Sequence, residues 1–340
     1  MAEQTNSKVT KEDLAVDGPI KWCAGCGGYS ILAALHHALP ELGIEKEKIV
    51  FISGIGCSSR FPYYINTYGF HGLHGRGSPI ASGVKIANPE LSVWQVTGDG
   101  DCMAIGGNHF IHVMRRNIDI NILLFNNRIY GLTKGQYSPT TFRDGKTKTS
   151  PDGTVENPFN PGELAIGAQG AFFARVPDNN PKILRNTLVL AGKHKGTSLV
   201  EVLQNCVIFT NKIHAEITGK DVKDDNQVYL EHGKPMIFGK ERNKGLRLNG
   251  LKLEVVKIGE NGITEDDILV HDAKNPDPTL HFMLARMTLP EYPVAMGVIR
   301  SVEIPTYENL LYAKIKNAKE TTNIKSVDDL LNSGNVFEIK

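Results

Sequence analysis

Val93–Asn127, VWQVTGDGDCMAIGGNHFIHVMRRNIDINILLFNN, carries the pattern that decides the fold. VWQV (93–96) and NILLF (121–125) are short and mostly apolar, so they predict buried strands. Between them the turn Gly98-Asp99-Gly100-Asp101 leads into a helical stretch from Ile105 to Arg116. Strand, turn, helix and second apolar strand make a parallel crossover unit. The same alternation extends outward. IVFIS (49–53) and SLVEVL (198–203) predict further strands, and Tyr29–Leu39 and Ile183–Lys193 predict helices, the first with Ile31, Leu32, Leu35 and Leu39 at helical spacing. The expected class is α/β, a doubly wound parallel sheet.

Three stretches flank or interrupt this pattern. Residues 1–20 are polar and predict an N-terminal arm, and residues 21–212 hold the α/β pattern. In residues 213–340 charged segments such as GKERNKGLR (239–247) separate short strand-like pieces including LKLEVVKI (251–258), which predicts an irregular C-terminal extension, an appendage serving as a subunit contact or lid. Residues 138–162 are rich in Pro, Gly and Thr without periodicity and predict a surface excursion that covers a site or a partner. A last helix is signalled by Ser326 as N-cap, Asp328 and Asp329 in its first turn, and Gly334 past its end.

At 340 residues the chain has about twice the length of a typical domain of ~150 residues. Thirty-eight Lys and Arg against 37 Asp and Glu give a net charge of +1, which excludes the basic excess of a nucleic-acid binder. No stretch approaches the roughly 18 apolar residues of a membrane span, and the start lacks a signal-peptide core, so a cytoplasmic protein is expected.

Two residue sets carry chemistry. The glycines of Gly98-Asp99-Gly100-Asp101 let a diphosphate approach the backbone, and Asp99 and Asn127, each at the carboxyl end of a strand, offer hard oxygens to a Mg²⁺ on that diphosphate. A bare GDG is also an ordinary turn. The second set is Cys23 and Cys26 in C-x-x-C spacing, Cys57 after IVFIS and Cys206 after SLVEVL. All four should reach the strand edge that carries GDG and NN. A C-x-x-C also suits a zinc knuckle or a thioredoxin-like pair, and these readings stay open on spacing alone. Cys102 reads as a small buried residue beside the cofactor. His109 and His112 share a helix face without a further ligand pattern, which suits packing or an interface.

GDG, 25 intervening residues and then Asn126-Asn127 resembles the thiamin-diphosphate-binding motif, whose metal ligands here would be Asp99, Asn127 and the backbone carbonyl of Ile129. Together WCAGCGGYSIL, GIGCSSRFPYYINTYGFHGLHGR, VTGDGDCMAIGGNHFIHVMRRN and LLFNNRIYGLTKGQYSPTT resemble the β subunits of 2-oxoacid:ferredoxin oxidoreductases, most closely the 2-oxoglutarate branch. The resemblance covers about residues 20–210. It implies the thiamin-diphosphate-binding (PP-type) fold, thiamin diphosphate, Mg²⁺ and a [4Fe-4S] cluster on Cys23, Cys26, Cys57 and Cys206. It implies coenzyme A and a 2-oxoacid as substrates, ferredoxin as electron acceptor, and an α subunit, in an αβ or (αβ)₂ assembly, that supplies the carboxylate activating the thiamin ring. Cofactor contacts are expected from Ile55, Gly56, Cys57, Ser58, His74, Gly98, Asp99, Gly100, Asp101, Asn127, Ile129, Gly131, Leu132 and Thr133, with Lys134 adding charge or facing the partner. Arg60 is the candidate for a substrate carboxylate, because a guanidinium grips carboxylates through a planar fork. His74 is the candidate for cofactor contact or proton transfer, in a loop that also holds Arg76. A pyruvate-using relative and a non-redox thiamin-dependent decarboxylase are the alternatives.

Overall fold

The computed structural model describes residues 9–337 and 339, so the first eight residues of the expected N-terminal arm lie outside the described residues. Eight strands form the main sheet in the order β2 (Tyr68–His71), β1 (Ile49–Ser53), β3 (Ser92–Gly98), β4 (Ile120–Asn126), β6 (Ser198–Leu203), β5 (Phe172–Pro177), β11 (Val294–Ser301) and β7 (Gln227–Leu230). The first six are mutually parallel; β11 runs antiparallel to β5 and parallel to β7. β8 (Ile237–Phe238), β9 (Lys244–Asn249) and β10 (Lys252–Lys257) form a small antiparallel sheet. Among the described residues no helix is long and apolar enough to cross a membrane.

Because strand side chains alternate, both faces of the sheet carry apolar residues, and both are covered. Phe51, Trp94, Leu123, Phe125 and Val200 pack beneath helices α1 (Gly28–Leu42) and α6 (Pro181–Lys193). Val50, Ile52, Val93, Ile122 and Leu124 pack on the opposite side beneath α2 (Gly77–Ala87), α4 (Gly107–Arg116), α5 (Pro161–Gly167) and the helix Thr279–Arg286. Each fully buried side chain of this size contributes about 1.5–3 kcal/mol of transfer free energy.

The four expected strands are present, two of them longer by two or three residues. β2 was not expected, since Tyr68 and Phe70 point to solvent at the sheet edge and the strand lacks a buried run. The expected helix from Ile105 to Arg116 is present as one continuous helix that starts two residues later, at Gly107. A short α3 (Asp99–Met103) starts inside the GDGD turn, and the chain breaks before α4 where a Cβ on Gly106 would stand 2.5 Å from the Asp101 carbonyl oxygen. Residues 138–162 are not wholly a surface excursion. Ser138, Thr140 and Thr141 are buried at its start, and at its end Asn160 caps α5 by accepting hydrogen bonds from Gly162 and Glu163. Ser326 caps the helix Val327–Leu331 as expected, with Asp329 returning the capping box, but the helix stops at Asn332, ahead of Gly334.

The segment beyond 212 is no appendage, because it completes the sheet and the core. Val228, Leu230, Ala295 and Ile299 join the same buried cluster as Ile122 and Leu124. Buried Arg300 ties the segment down by donating to the carbonyls of Gly170, Asn275 and Pro276. Charge on exposed positions masked this in the sequence. Gly297, at φ 88°, sits where a Cβ would meet the Leu230 carbonyl oxygen at 2.7 Å. Gly297→Ala is therefore expected to cost about 1–3 kcal/mol through left-handed strain and the clash, read as a lowered denaturation midpoint. An unchanged midpoint would show that the edge strand relaxes freely.

Candidate active site

Parallel strands place their carboxyl ends together, and β1, β3, β4 and β6 lie side by side. Register fixes the details. Gly98 pairs with Phe125, and Asn126 pairs with Leu203, so GDGD, Asn126-Asn127 and Gln204-Asn205-Cys206 emerge in one row. The loop Gly54–Cys57 leaves β1 beside them. A cleft of about 540 Å³ opens here, lined by Ile55, Gly56, Cys57, Ser58, His74, Gly98, Asp99, Gly100, Asp101, Asn127, Ile129, Gly131, Leu132 and Thr133, together with Tyr130 and Gln136. All the residues expected to contact the cofactor are therefore brought together.

The two aspartates of GDGD do different work. Asp101 is buried and saturated: Oδ1 accepts from the backbone N–H of Ile55 (3.0 Å) and Gly75 (2.7 Å) and pairs with Nδ1 of His74 (2.8 Å), while Oδ2 accepts from Thr97 Oγ1 (2.7 Å). It is a keystone joining three segments, and Gly54 leaves room for it, since a Cβ there would lie 2.1 Å from Asp101 Oδ2. Asp99 is equally buried, but both hydroxyls that reach it, Ser138 (2.5 Å) and Thr140 (2.6 Å), donate to Oδ2, which leaves Oδ1 for a cation. Burial raises the Asp99 pKa, and these hydroxyls and Arg128 only partly oppose it. A buried carboxyl with incomplete compensation is a cation ligand in chemical character. Asn127 stands across the cleft, its Oδ1 accepting from the Ile129 N–H at 3.3 Å and its Nδ2 donating to Gln204 Oε1 at 3.0 Å.

His74 has its Nδ1 committed to Asp101, so Nε2 is the ring nitrogen left for a ligand, and the ring meets Tyr130 edge-on at 6.1 Å. Tyr130 in turn donates to the Gly100 carbonyl (2.9 Å), and a Cβ on Gly100 would stand 2.3 Å from its ring.

The four cysteines are free and share one neighbourhood. A Cβ on Gly131 would stand 3.6 Å from Cys57 Sγ and 3.8 Å from Cys206 Sγ. Burial pushes the Cys26 thiol up to about 11, an N–H bond from Gly28 opposes it, and Cys206, Cys57 and Cys23 each push it further up. The Cys57 thiol is raised by burial and by Cys206, and lowered by Arg60. Among the described residues no three His, Cys, Asp or Glu side chains gather tightly enough for a single ion. Cys102 lies apart in the apolar core, 3% exposed, as expected.

Arg60 is the expected site residue that is not brought to the cleft. It does not line the cleft, and its Nη1 donates to the Lys21 carbonyl at 3.1 Å, two residues before Cys23. Arg76 likewise reaches backbone carbonyls of Gly75 and Ile105, and Lys134 is exposed. Sequence reasoning missed Tyr130, Gln136, Ser138, Thr140 and Gln204. Ser138 and Thr140 stood inside the aperiodic stretch, and Gln204 was overshadowed by Cys206 two residues on.

Comparison with known proteins agrees with this geometry. Residues 54–202 match the thiamine pyrophosphate enzyme, C-terminal TPP binding domain. 2-Oxoglutarate oxidoreductase subunit KorB of Mycobacterium tuberculosis is 46% identical over 309 residues, covering 91% of this chain and 82% of that protein. 2-Oxoglutarate synthase subunit KorB of Methanothermobacter thermautotrophicus is 36% identical over 284 residues, 83% of this chain and 92% of that protein. A chain of the 2-oxoglutarate:ferredoxin oxidoreductase from Magnetococcus marinus, solved with 2-oxoglutarate, coenzyme A and succinyl-CoA bound, superposes with a TM-score of 0.77 at 29% identity, covering 99% of this chain and 100% of that one. With the thiamin-binding edge, the mostly parallel sheet and these relatives in agreement, the chain belongs to the β subunits of the 2-oxoacid:ferredoxin oxidoreductases, on their 2-oxoglutarate branch.

Proposed function

We propose that, with an α subunit, this chain catalyses the oxidative decarboxylation of 2-oxoglutarate with coenzyme A to succinyl-CoA, CO₂ and reduced ferredoxin, and the reverse carboxylation. The observation that carries the reading is that Asp99, Asn127 and Cys57 line one cleft, with Cys206 beside Cys57 at Gly131 and Cys26 close enough to feel the other three cysteines. Thiamin diphosphate supplies the decarboxylation chemistry when bound, and an iron–sulfur cluster accepts electrons singly.

The chain's own residues have separable tasks. Asp99, Asn127 and the Ile129 carbonyl are the ligands we assign to Mg²⁺, and the glycines at 98, 100 and 131 keep the cleft open to a diphosphate. His74, held through Nδ1 by Asp101, offers Nε2 to the cofactor. Cys23, Cys26, Cys57 and Cys206 are the ligands we assign to a [4Fe-4S] cluster. Cys57 shares a loop with cleft-lining Ile55 and Gly56, so cluster and cofactor would be neighbours. Arg60 belongs to the cluster side, where its charge favours a thiolate at Cys57.

Among the described residues the only carboxylates lining the cleft are Asp99 and Asp101, one suited to a cation and the other saturated. Neither is left to activate the thiamin ring, which supports the need for a partner's carboxylate. We assign the partner contact to the 213–340 segment, whose helix Tyr307–Thr321 exposes Leu310 and Ile315 and whose end exposes Val327, Leu331 and Phe337. The chain alone is expected to be inactive. Anaerobic co-expression with the α subunit should yield viologen reduction that needs both 2-oxoglutarate and coenzyme A. Turnover by the isolated chain would refute the shared site, and a preference for pyruvate would move the enzyme to another branch with its cofactors intact.

A further inference from the structure

Gln204 has no role in the motifs, yet it touches both halves of the site. It is 2% exposed, and its backbone N–H donates to the Asn126 carbonyl at 3.0 Å. Its Oε1 accepts from Asn127 Nδ2 at 3.0 Å, and its Nε2 donates to Cys26 Sγ at 3.7 Å. The amide's orientation follows from its neighbours. Asn127 Oδ1 accepts from the Ile129 N–H, so Nδ2 is the end that faces Gln204, and the Gln204 nitrogen is left for sulfur. Gly27 keeps the path clear, because a Cβ there would stand 2.9 Å from Gln204 Cγ. One buried amide therefore spans the distance between an assigned cation ligand and an assigned cluster ligand.

We propose that Gln204 is a positioning residue that couples the two centres, tuning the cluster's reduction potential according to whether the cation site is filled. The inference rests on the cluster and Mg²⁺ assignments made above. A cation on Asn127 Oδ1 draws electron density from that amide and makes Nδ2–H a stronger donor to Gln204. The polarised Gln204 then donates more strongly to the Cys26 sulfur, since hydrogen bonds in a chain strengthen one another. A donor on a ligating sulfur favours the more negative, reduced cluster and raises its potential. Linkage makes the effect reciprocal: a reduced cluster favours the filled cation site by the same factor. The chain thus links cofactor loading to readiness for electron uptake.

The test uses the anaerobic αβ holoenzyme, in which iron content is measured first and the cluster is then titrated potentiometrically by electron paramagnetic resonance, with and without Mg²⁺ and thiamin diphosphate. Gln204→Glu keeps the shape and still accepts from Asn127, but its carboxylate donates nothing to sulfur. Gln204→Leu removes both bonds. In the wild type, loading is expected to raise the potential. Both variants are expected to retain iron, to lose the loading-dependent shift, and to lie lower by about tenfold in the one-electron equilibrium, about 59 mV. An unshifted potential in iron-replete variants, or loss of iron from both, overturns the coupling and leaves Gln204 a structural residue. Absence of iron from the wild-type holoenzyme would instead overturn the cluster assignment, and the two failures are told apart by the first measurement.

Discussion

Cys206→Ala is expected to strip the αβ enzyme of its cluster, removing about four iron atoms per chain, bleaching the visible absorption and reducing dye turnover to background. Cys206 lies three residues beyond the end of β6, its carbonyl accepts from Thr210 N–H at 3.1 Å, and its sulfur lies near Gly131 beside Cys57. No other cysteine can substitute. Cys102, the fifth, is enclosed in the apolar core, and burial raises its thiol well above the range in which thiolate forms at neutral pH. Cys102→Ala should accordingly keep full iron and activity, apart from a modest packing loss. If iron follows Cys102 instead of Cys206, the ligand assignment is wrong.

Glu201→Ala is expected to destabilise the fold by about 3–5 kcal/mol, a large part of the about 5–15 kcal/mol that a protein has to lose. Glu201 lies in the centre of β6, 2% exposed, with Oε2 on Arg175 Nε and Oε1 on Asn126 Nδ2, each at 2.7 Å. Removing it leaves the buried Arg175 guanidinium without its counter-ion and frees the side chain of Asn126 beside the site. The pH dependence has a definite sign. Burial works to raise the Glu201 pKa, but Arg175, the Asn126 hydrogen bond and Arg128 outweigh it, and the net direction is down. A carboxylate depressed on folding adds stability that is complete above its ordinary unfolded value and lost as pH falls through the lower folded one. Urea midpoints of wild type and variant should therefore differ most near neutrality and converge in acid. Equal midpoints at pH 7 would show that Arg175 finds compensation in Asn160 and the Ala285 carbonyl, which it also reaches.

Four of the six parallel strands, β1, β3, β4 and β6, were legible because each is a short buried run rich in apolar residues, and the carboxyl-edge rule then brought Asp99, Asn127, Cys57 and Cys206 together from pattern alone; β2, with its exposed side chains, and β5, which holds Arg175, were not. What escaped was set by tertiary context. β7 is only four residues long, and the apolar run of β11 ends on Arg300, whose burial is set by backbone carbonyls brought to it in the fold, so both were passed over in a segment otherwise dominated by charged stretches. Thr140 and Ser138 look like loop residues until Asp99 is placed beside them. Arg60 carried the right chemistry for a carboxylate, but it stands outside the cleft, with Nη1 on the Lys21 carbonyl, a contact between positions 39 residues apart. The asparagine pair was read for its metal ligand, while the buried network under Asn126, which binds Glu201 and Thr140, gave no signal in one dimension.

The saturated Asp101 has a consequence for the thermodynamics of cofactor loading. Its four hydrogen bonds join the loops at 55 and 74–75 to the end of β3 through groups of the chain alone. The entropy of ordering these loops is therefore lost during folding. An incoming diphosphate meets walls already in register, so its contacts appear as affinity and are not consumed in organising the chain.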